Sequence, residues 1–354
     1  MLNKTDMIND RFNFLINSSQ QTIRHLLLLH SNAIGNDEYR RNYDALLKLP
    51  AISYWKNNIP SEVNNATILG SSDSCFENSF GKLISFGLPF EDILSPVDLE
   101  KYISFLKTKE CSNIYDSLCR FVVAGYLFAA NFSDDIVYKI VTNRINTLYN
   151  FIVTSSAKYN IYLSSASIKI PSQYKTKKLV NPVLYETNEL TLPFVYDIFI
   201  FYYVYNKLSE DLKKKIDCII EYISDNRYQS FDYGYGLIKS PQNKYHFMGW
   251  SVHLPLYNEA LSTEYFKNGL IHRMVLLSKF KNHNIDIWIN SVLKKLKDFQ
   301  FDEYLYCFSN EYLPEIRNSY YMNGRHTSLN ENRRKKIGKT IESTYYIHLI
   351  SDYN

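Results

Sequence analysis

Glycine and proline are scarce in this chain, at 11 and 10 of 354 residues. All-β architectures use these residues at their many turns, so the shortage argues against a strand-and-turn fold. It also leaves no P-loop or dinucleotide fingerprint, which need clustered glycines between a strand and a helix. Cysteine is sparse too. Cys75, Cys111, Cys119, Cys218 and Cys307 are odd in number, scattered and never in a Cys-x-x-Cys pair, which argues against a disulfide framework and fits a reducing compartment. Neither sign of charge dominates: 40 basic and 36 acidic residues leave a net charge of +4, and no long basic run is interleaved with aromatics, so a nucleic-acid partner is not expected. Long apolar runs are missing. Residues 26–29 and 194–205 fall well short of the ~20 residues a membrane span requires. The polar start through Asp10 is unlike a signal peptide, and the expectation is a cytoplasmic protein without a membrane span.

What the chain has in excess is aromatic side chains, with 31 Tyr and 21 Phe. Together with a hydrophobic content of 45% they suggest helices lined with rings. The periodicity supports this. A first helix is expected over 11–30 and a second over 37–49, stopped by Pro50. Ser95 followed by Pro96 reads as an N-cap with proline at the first helical position. Residues 118–132 are apolar on nearly every face, whereas 134–152 carry a single stripe through Ile136, Ile140, Ile145, Leu148 and Ile152. The contrast returns with 194–205 against the stripe Leu212, Ile216, Ile219, Ile220 and Ile223, and again with 261–280 against 285–299. Buried helix then amphipathic helix is the repeating unit, and roughly six such pairs permit an open solenoid or a closed ring. The irregular stretches 159–192 and 226–256 suit the mouth of a ring better than a solenoid. The expected fold is all-α, an (α/α)6 toroid of inner and outer helices formed as one domain over residues 1–354.

The richest chemistry lies in 320–350. Ile337, Ile341, Thr344, Tyr345, His348 and Leu349 fall on one face of a 3.6-residue period and must pack inward. Glu342 flanks that face and needs a partner, with Arg325, Arg333 and Arg334 the nearest basic residues. Two readings are open: a buried ion-pair network that pins the last helix to its loop, or the polar end of a ligand cavity with His326, Glu342, Arg325 and Arg333 as catalytic groups. Residues 231–236 and 245–255 crowd Tyr233, Tyr235, Trp250 and His253 into one loop region. That density suits the wall of an apolar ligand site, since rings supply contact area at little rotamer entropy, but the rings also suit plain loop packing. Arg120 and Asp197 are lone charges in apolar helices and must pair, face water or face a ligand.

The helix-pair architecture and the aromatic content resemble the terpenoid cyclase and protein prenyltransferase superfamily. More narrowly, Pro50-Ala51-Ile52-Ser53-Tyr54-Trp55, Gly70-Ser71-Ser72-Asp73, residues 78–88, and 324–334 with Glu342-Ser343-Thr344 resemble a bacterial prenyltransferase-like toroid group. The resemblance implies a cavity among the inner helix ends. The superfamily's cyclase and synthase motifs are incomplete here: Asn131-Phe132-Ser133-Asp134-Asp135 lacks the first aspartate of an Asp-x-Asp-Asp acid, and Asp134-Asp135-Ile136-Val137-Tyr138 ends in tyrosine where a magnesium site needs aspartate. The prenyltransferase likeness also implies a zinc site, with Asp73 and Cys75 from Asp73-Ser74-Cys75 and His326 as third ligand. The plainer reading makes Asp73 an N-cap and Cys75 a small buried residue. The functional expectation is an enzyme acting on an isoprenoid or other apolar substrate. The alternative is a protein that binds an apolar small molecule, a lipid or a peptide on the same scaffold without turning it over.

Overall fold

The computed structural model describes residues 4–31, 36–163, 170–185, 191–239, 244–257 and 269–352. It is mostly helical, 61% helix against 5% strand, so the all-α expectation holds apart from one short hairpin. No helix among the described residues is long and apolar enough to cross a membrane. The chain contacts divide it into two compact units: 1–104 with 129–132 and 255–354, and 105–128 with 133–254.

In the first unit the chain opens with helices Lys4–Ser18 and Gln21–His30. The single helix expected over 11–30 is therefore broken at Ser19 and Gln20. Asn36 caps Asp37–Leu47 by accepting from the Tyr39 N–H. Pro50 does more than stop that helix, because it occupies the first turn of the next one, Pro50–Asn57, where its missing N–H costs nothing. Helices Phe76–Ser85 and Pro96–Thr108 follow, the latter assigned to the first unit only as far as Ser104 and begun by the expected Ser95 cap, whose hydroxyl accepts from the Asp98 N–H at 3.1 Å. Later come Leu270–Ser278 and His283–Leu296; the rest of the span expected over 261–280 lies partly outside the described residues. The last helix, Lys336–Asp352, packs beside both Lys4–Ser18 and Leu270–Ser278. It is buried on more sides than one stripe requires: Glu342, Ser343, Ile347 and Ile350 are as enclosed as Ile341, Thr344 and Tyr345, while Ile337 is 52% exposed and leaves the expected face.

The second unit repeats the buried-then-amphipathic pairing. Ile114–Ala129 is followed by Asp135–Thr154, and Val195–Val204 by Glu210–Ser224. Asp134 and Ser209 cap the two amphipathic helices, which pack on one another. The stripe on the first turns inward through Val137 and Val141 rather than Ile136 and Ile140, which are half-buried. Gly125 sets how closely the two apolar helices approach, since a Cβ there would lie 2.2 Å from Ile200 Cδ1. The aromatic stretch then forms the antiparallel hairpin Gly236–Lys239 and Tyr245–Met248. Sequence periodicity did not reveal these strands because they are only four residues long each.

Candidate functional site

The site is built in the first unit from three pieces: the turn before Phe76–Ser85, that helix itself, and the irregular segment 310–334. Helix Phe76–Ser85 turns Asn78 and Lys82, one turn apart, toward the segment. Asn78 donates to the Gly70 and Ser72 carbonyls and accepts from the Tyr321 N–H at 2.8 Å. Lys82 is fully enclosed and donates to the carbonyls of His326 at 2.7 Å and Ser328 at 2.5 Å. Burial pulls its ammonium down to about 8.

Asp73 does not cap the helix; Cys75 stands at the N-cap, and no side chain caps it. Its carboxylate instead clamps the segment, accepting from the Asn318 N–H at 2.7 Å, the Tyr54 hydroxyl at 2.8 Å and Arg317 at 3.2 Å. Arg317 also stacks on Tyr54, 3.7 Å from the ring centre. His326 is 3% exposed, with its ring edge-on to Trp55. Its Nε2–H donates to the Ser319 carbonyl at 2.6 Å, which places the Asp73 carboxylate 3.8 Å away on the same side. Its Nδ1 is buried without a hydrogen bond, 3.7 Å from Glu315 Oε1.

The structure thus brings Asp73 and His326 together as the zinc expectation required, but Cys75 does not join them. The Cys75 thiol faces the Ala66 carbonyl at 3.9 Å, and burial pushes it up, away from the thiolate a metal would need. Among the described residues no group of three His, Cys, Asp or Glu side chains is arranged to hold a metal ion.

Glu342 is fully buried. It accepts from the Leu329 N–H at 2.7 Å, the Glu331 N–H at 3.2 Å and Arg333 Nε, the ion-pair network expected from the sequence. Arg333 also donates to the Leu313 carbonyl and to Thr327 Oγ1, so one guanidinium ties two other points of the segment to the last helix. The segment rides directly over the start of that helix: a Cβ on Gly338 would lie 2.3 Å from the Asn332 carbonyl oxygen.

Glu331 sits beside this pair, 6% exposed and accepting from the Gln20 N–H at 2.6 Å. Burial, with the Glu342 charge adding to it, raises its carboxyl to about 7. A carboxyl raised on folding supports stability fully below its ordinary value near 4.5, and that support is lost as the pH rises through about 7. Glu331→Gln keeps the acceptor and removes the titration. Its stability should match the wild type at pH 4 and exceed it at pH 8 by on the order of 1–2 kcal/mol, read as a higher melting temperature at pH 8 alone. Parallel pH curves in scanning calorimetry would show that Glu331 does not titrate in this range.

One face of the segment opens into a pocket of about 640 Å³ lined by Leu313, Pro314, Glu315, Ile316, Arg325, Arg333 and Arg334 with Asn310 and Glu311. Of the candidate catalytic residues, Arg325 and Arg333 line it. His326 stands behind its Glu315 wall, and Glu342 lies behind Arg333.

The candidate substrate residues lie in the second unit and are largely committed to packing. Asp197 is paired, but with Arg144, which the sequence reading missed; Arg144 Nε and Nη2 donate to its two oxygens at 2.8 and 2.7 Å. Arg120 donates to the Leu106 carbonyl at 2.9 Å. Tyr235 is 0% exposed, its hydroxyl donating to the Pro193 carbonyl and lying 2.6 Å from the Tyr228 hydroxyl. His253 Nε2–H donates to the Phe231 carbonyl at 3.0 Å, which leaves Nδ1 to accept from Ser251 at 2.9 Å. Trp250 packs between Tyr115 and Phe194. Tyr233, at 44% exposure, is the candidate ring that reaches solvent.

Sequence reasoning passed over Lys82, Glu315 and Arg144. Lys82 carried a weaker signal than Arg120, since its short helix also holds Glu77. Glu315 carried none, because it sits in a segment without periodicity. Comparison of the chain with protein-family models, curated proteins and solved structures returns no match.

Proposed function

We propose that this is a binding protein that holds the anionic group of a small ligand or peptide in the 310–334 pocket. One observation carries the reading: three arginines, Arg325, Arg333 and Arg334, line one cavity. Glu342, behind the wall, is engaged by Arg333 and two backbone N–H groups, and Glu315, which shares the lining with Glu311, accepts from the Ser328 N–H at 2.7 Å. Arginine presents planar, paired donors that match carboxylate and phosphate oxygens. Behind the pocket, Lys82 and His326 Nε2 are spent on backbone carbonyls, which favours holding a ligand over transforming it. Calorimetric titration with inorganic diphosphate should give saturable binding that weakens about tenfold in Arg334→Glu. Absence of binding to the wild type would sink the reading.

A second reading keeps the prenyltransferase-like toroid and an isoprenoid substrate. It is favoured by the His326 Nδ1 that lies unbonded behind Glu315, an acid–base pair at a pocket wall. The pocket's apolar lining is Leu313, Pro314 and Ile316, without an aromatic ring. Farnesyl diphosphate separates the two readings: on the first it binds no more than about tenfold tighter than diphosphate, and on the second its chain adds a hundredfold or more.

A further inference from the structure

Glu315 is an unusual wall for an anion site. Its Oε2 accepts from the Ser328 N–H at 2.7 Å, and its Oε1 faces His326 Nδ1 at 3.7 Å. Burial opposes its ionisation, yet the Lys82 ammonium behind it, His326 and the Ser328 N–H together hold the carboxyl down at about 2. It therefore stays charged at any physiological pH. A carboxylate offers about four acceptor positions, and the protein fills at most two of these. The remainder faces the pocket.

A purely anionic ligand would press its charge against this fixed carboxylate in a partly desolvated place, a like-charge opposition that costs affinity. A ligand carrying its own cation would satisfy the spare acceptors and keep the arginines for its anion. The lining also has an aliphatic part, Leu313 and Pro314 with an Ile316 that is 44% exposed. The volume of about 640 Å³ lies within the range of small-molecule sites.

We propose that the pocket is a site for a small zwitterion of the amino-acid or dipeptide class, its ammonium on Glu315, its carboxylate on Arg325 and Arg334, and an apolar side chain along Leu313, Pro314 and Ile316. This rests on the anion-binding reading and adds the cationic end of the ligand. His326 and Lys82 are positioning residues here: they touch no ligand and fix the carboxylate's charge and direction from behind.

The probes are leucylglycine, N-acetyl-leucylglycine and inorganic diphosphate, titrated into the full chain at pH 7. Leucylglycine should bind about tenfold or more tightly than its acetylated form, because acetylation removes the ammonium and nothing else of comparable weight. In Glu315→Gln that difference should shrink to within about twofold while diphosphate binding is kept or improved. Arg334→Glu should weaken all three. Equal or tighter binding of the acetylated dipeptide overturns the zwitterion proposal, and so does a difference that survives Glu315→Gln. In either case diphosphate binding leaves the anion reading standing; if no probe binds, both fall. Should Glu315→Gln fail to fold, the acetylation comparison on the wild type decides alone.

Discussion

Replacing Asp197 with alanine should destabilise the second unit by about 3–5 kcal/mol, because it strands a buried guanidinium. Arg144 and Asp197 have side-chain exposures of 5% and 0%. With the carboxylate gone, Arg144 keeps the Leu192 carbonyl at 2.8 Å and the faces of Phe121 and Phe194. Helix Val195–Val204 also loses the acceptor that Asp197 offers the Phe194 N–H at 2.6 Å. The double variant Arg144→Met with Asp197→Leu should recover most of the loss, since two apolar side chains there leave no charge to solvate. Urea denaturation reads both. A single variant within about 1 kcal/mol of wild type would mean that water reaches the pair.

Helix positions were the most legible part of the chain because they follow from repeated, local signals. Ser95 with Pro96 announced a helix start, and Leu212 through Ile223 announced a buried stripe. Breaks were harder to see. Nothing in Ser19-Gln20 marks a boundary as strongly as a proline would, and Pro50, read as a stop, is equally good as a start. The hairpin at 236–248 lies in an aromatic stretch where rings dominate and alternation is too short to show.

The candidate site was legible by charge and illegible by distance. Glu342 needed a cation, and Arg333, nine residues away, supplied it. The partners that organise the rest come from far along the sequence: Lys82 reaches His326 across 244 residues, and Asp73 reaches Asn318 across 245. No local pattern encodes such a pairing. Asp73 illustrates the point: an aspartate before a helix reads as a cap, and only the fold shows its oxygens turned to Tyr54, Arg317 and the Asn318 N–H. The aromatic loop shows the same limit. Tyr235 and His253 have the composition of a ligand wall, but their polar atoms are already used on Pro193, Tyr228, Ser251 and Phe231.

Glu342→Gln should cost about 2–3 kcal/mol and loosen the pocket in the same step. Burial pushes the Glu342 carboxyl above its usual range, outweighing Arg333 and the two N–H groups that pull it down. The fold thus disfavours the ionised form on balance, and the loss arises from donors left without an acceptor. If the glutamine oxygen keeps the Leu329 and Glu331 N–H groups, its amide N–H groups confront Arg333 Nε–H. If it flips, the two backbone donors are orphaned. With the oxygen left on the backbone donors, Arg333 is held by Leu313 and Thr327 alone, so diphosphate affinity should fall together with the melting temperature. Adding Arg333→Met should restore stability to within about 1 kcal/mol of wild type while leaving the binding defect in place. A single variant that melts like the wild type would show that Glu342 does not anchor the segment. A stable double variant with full diphosphate binding would remove Arg333 from the site.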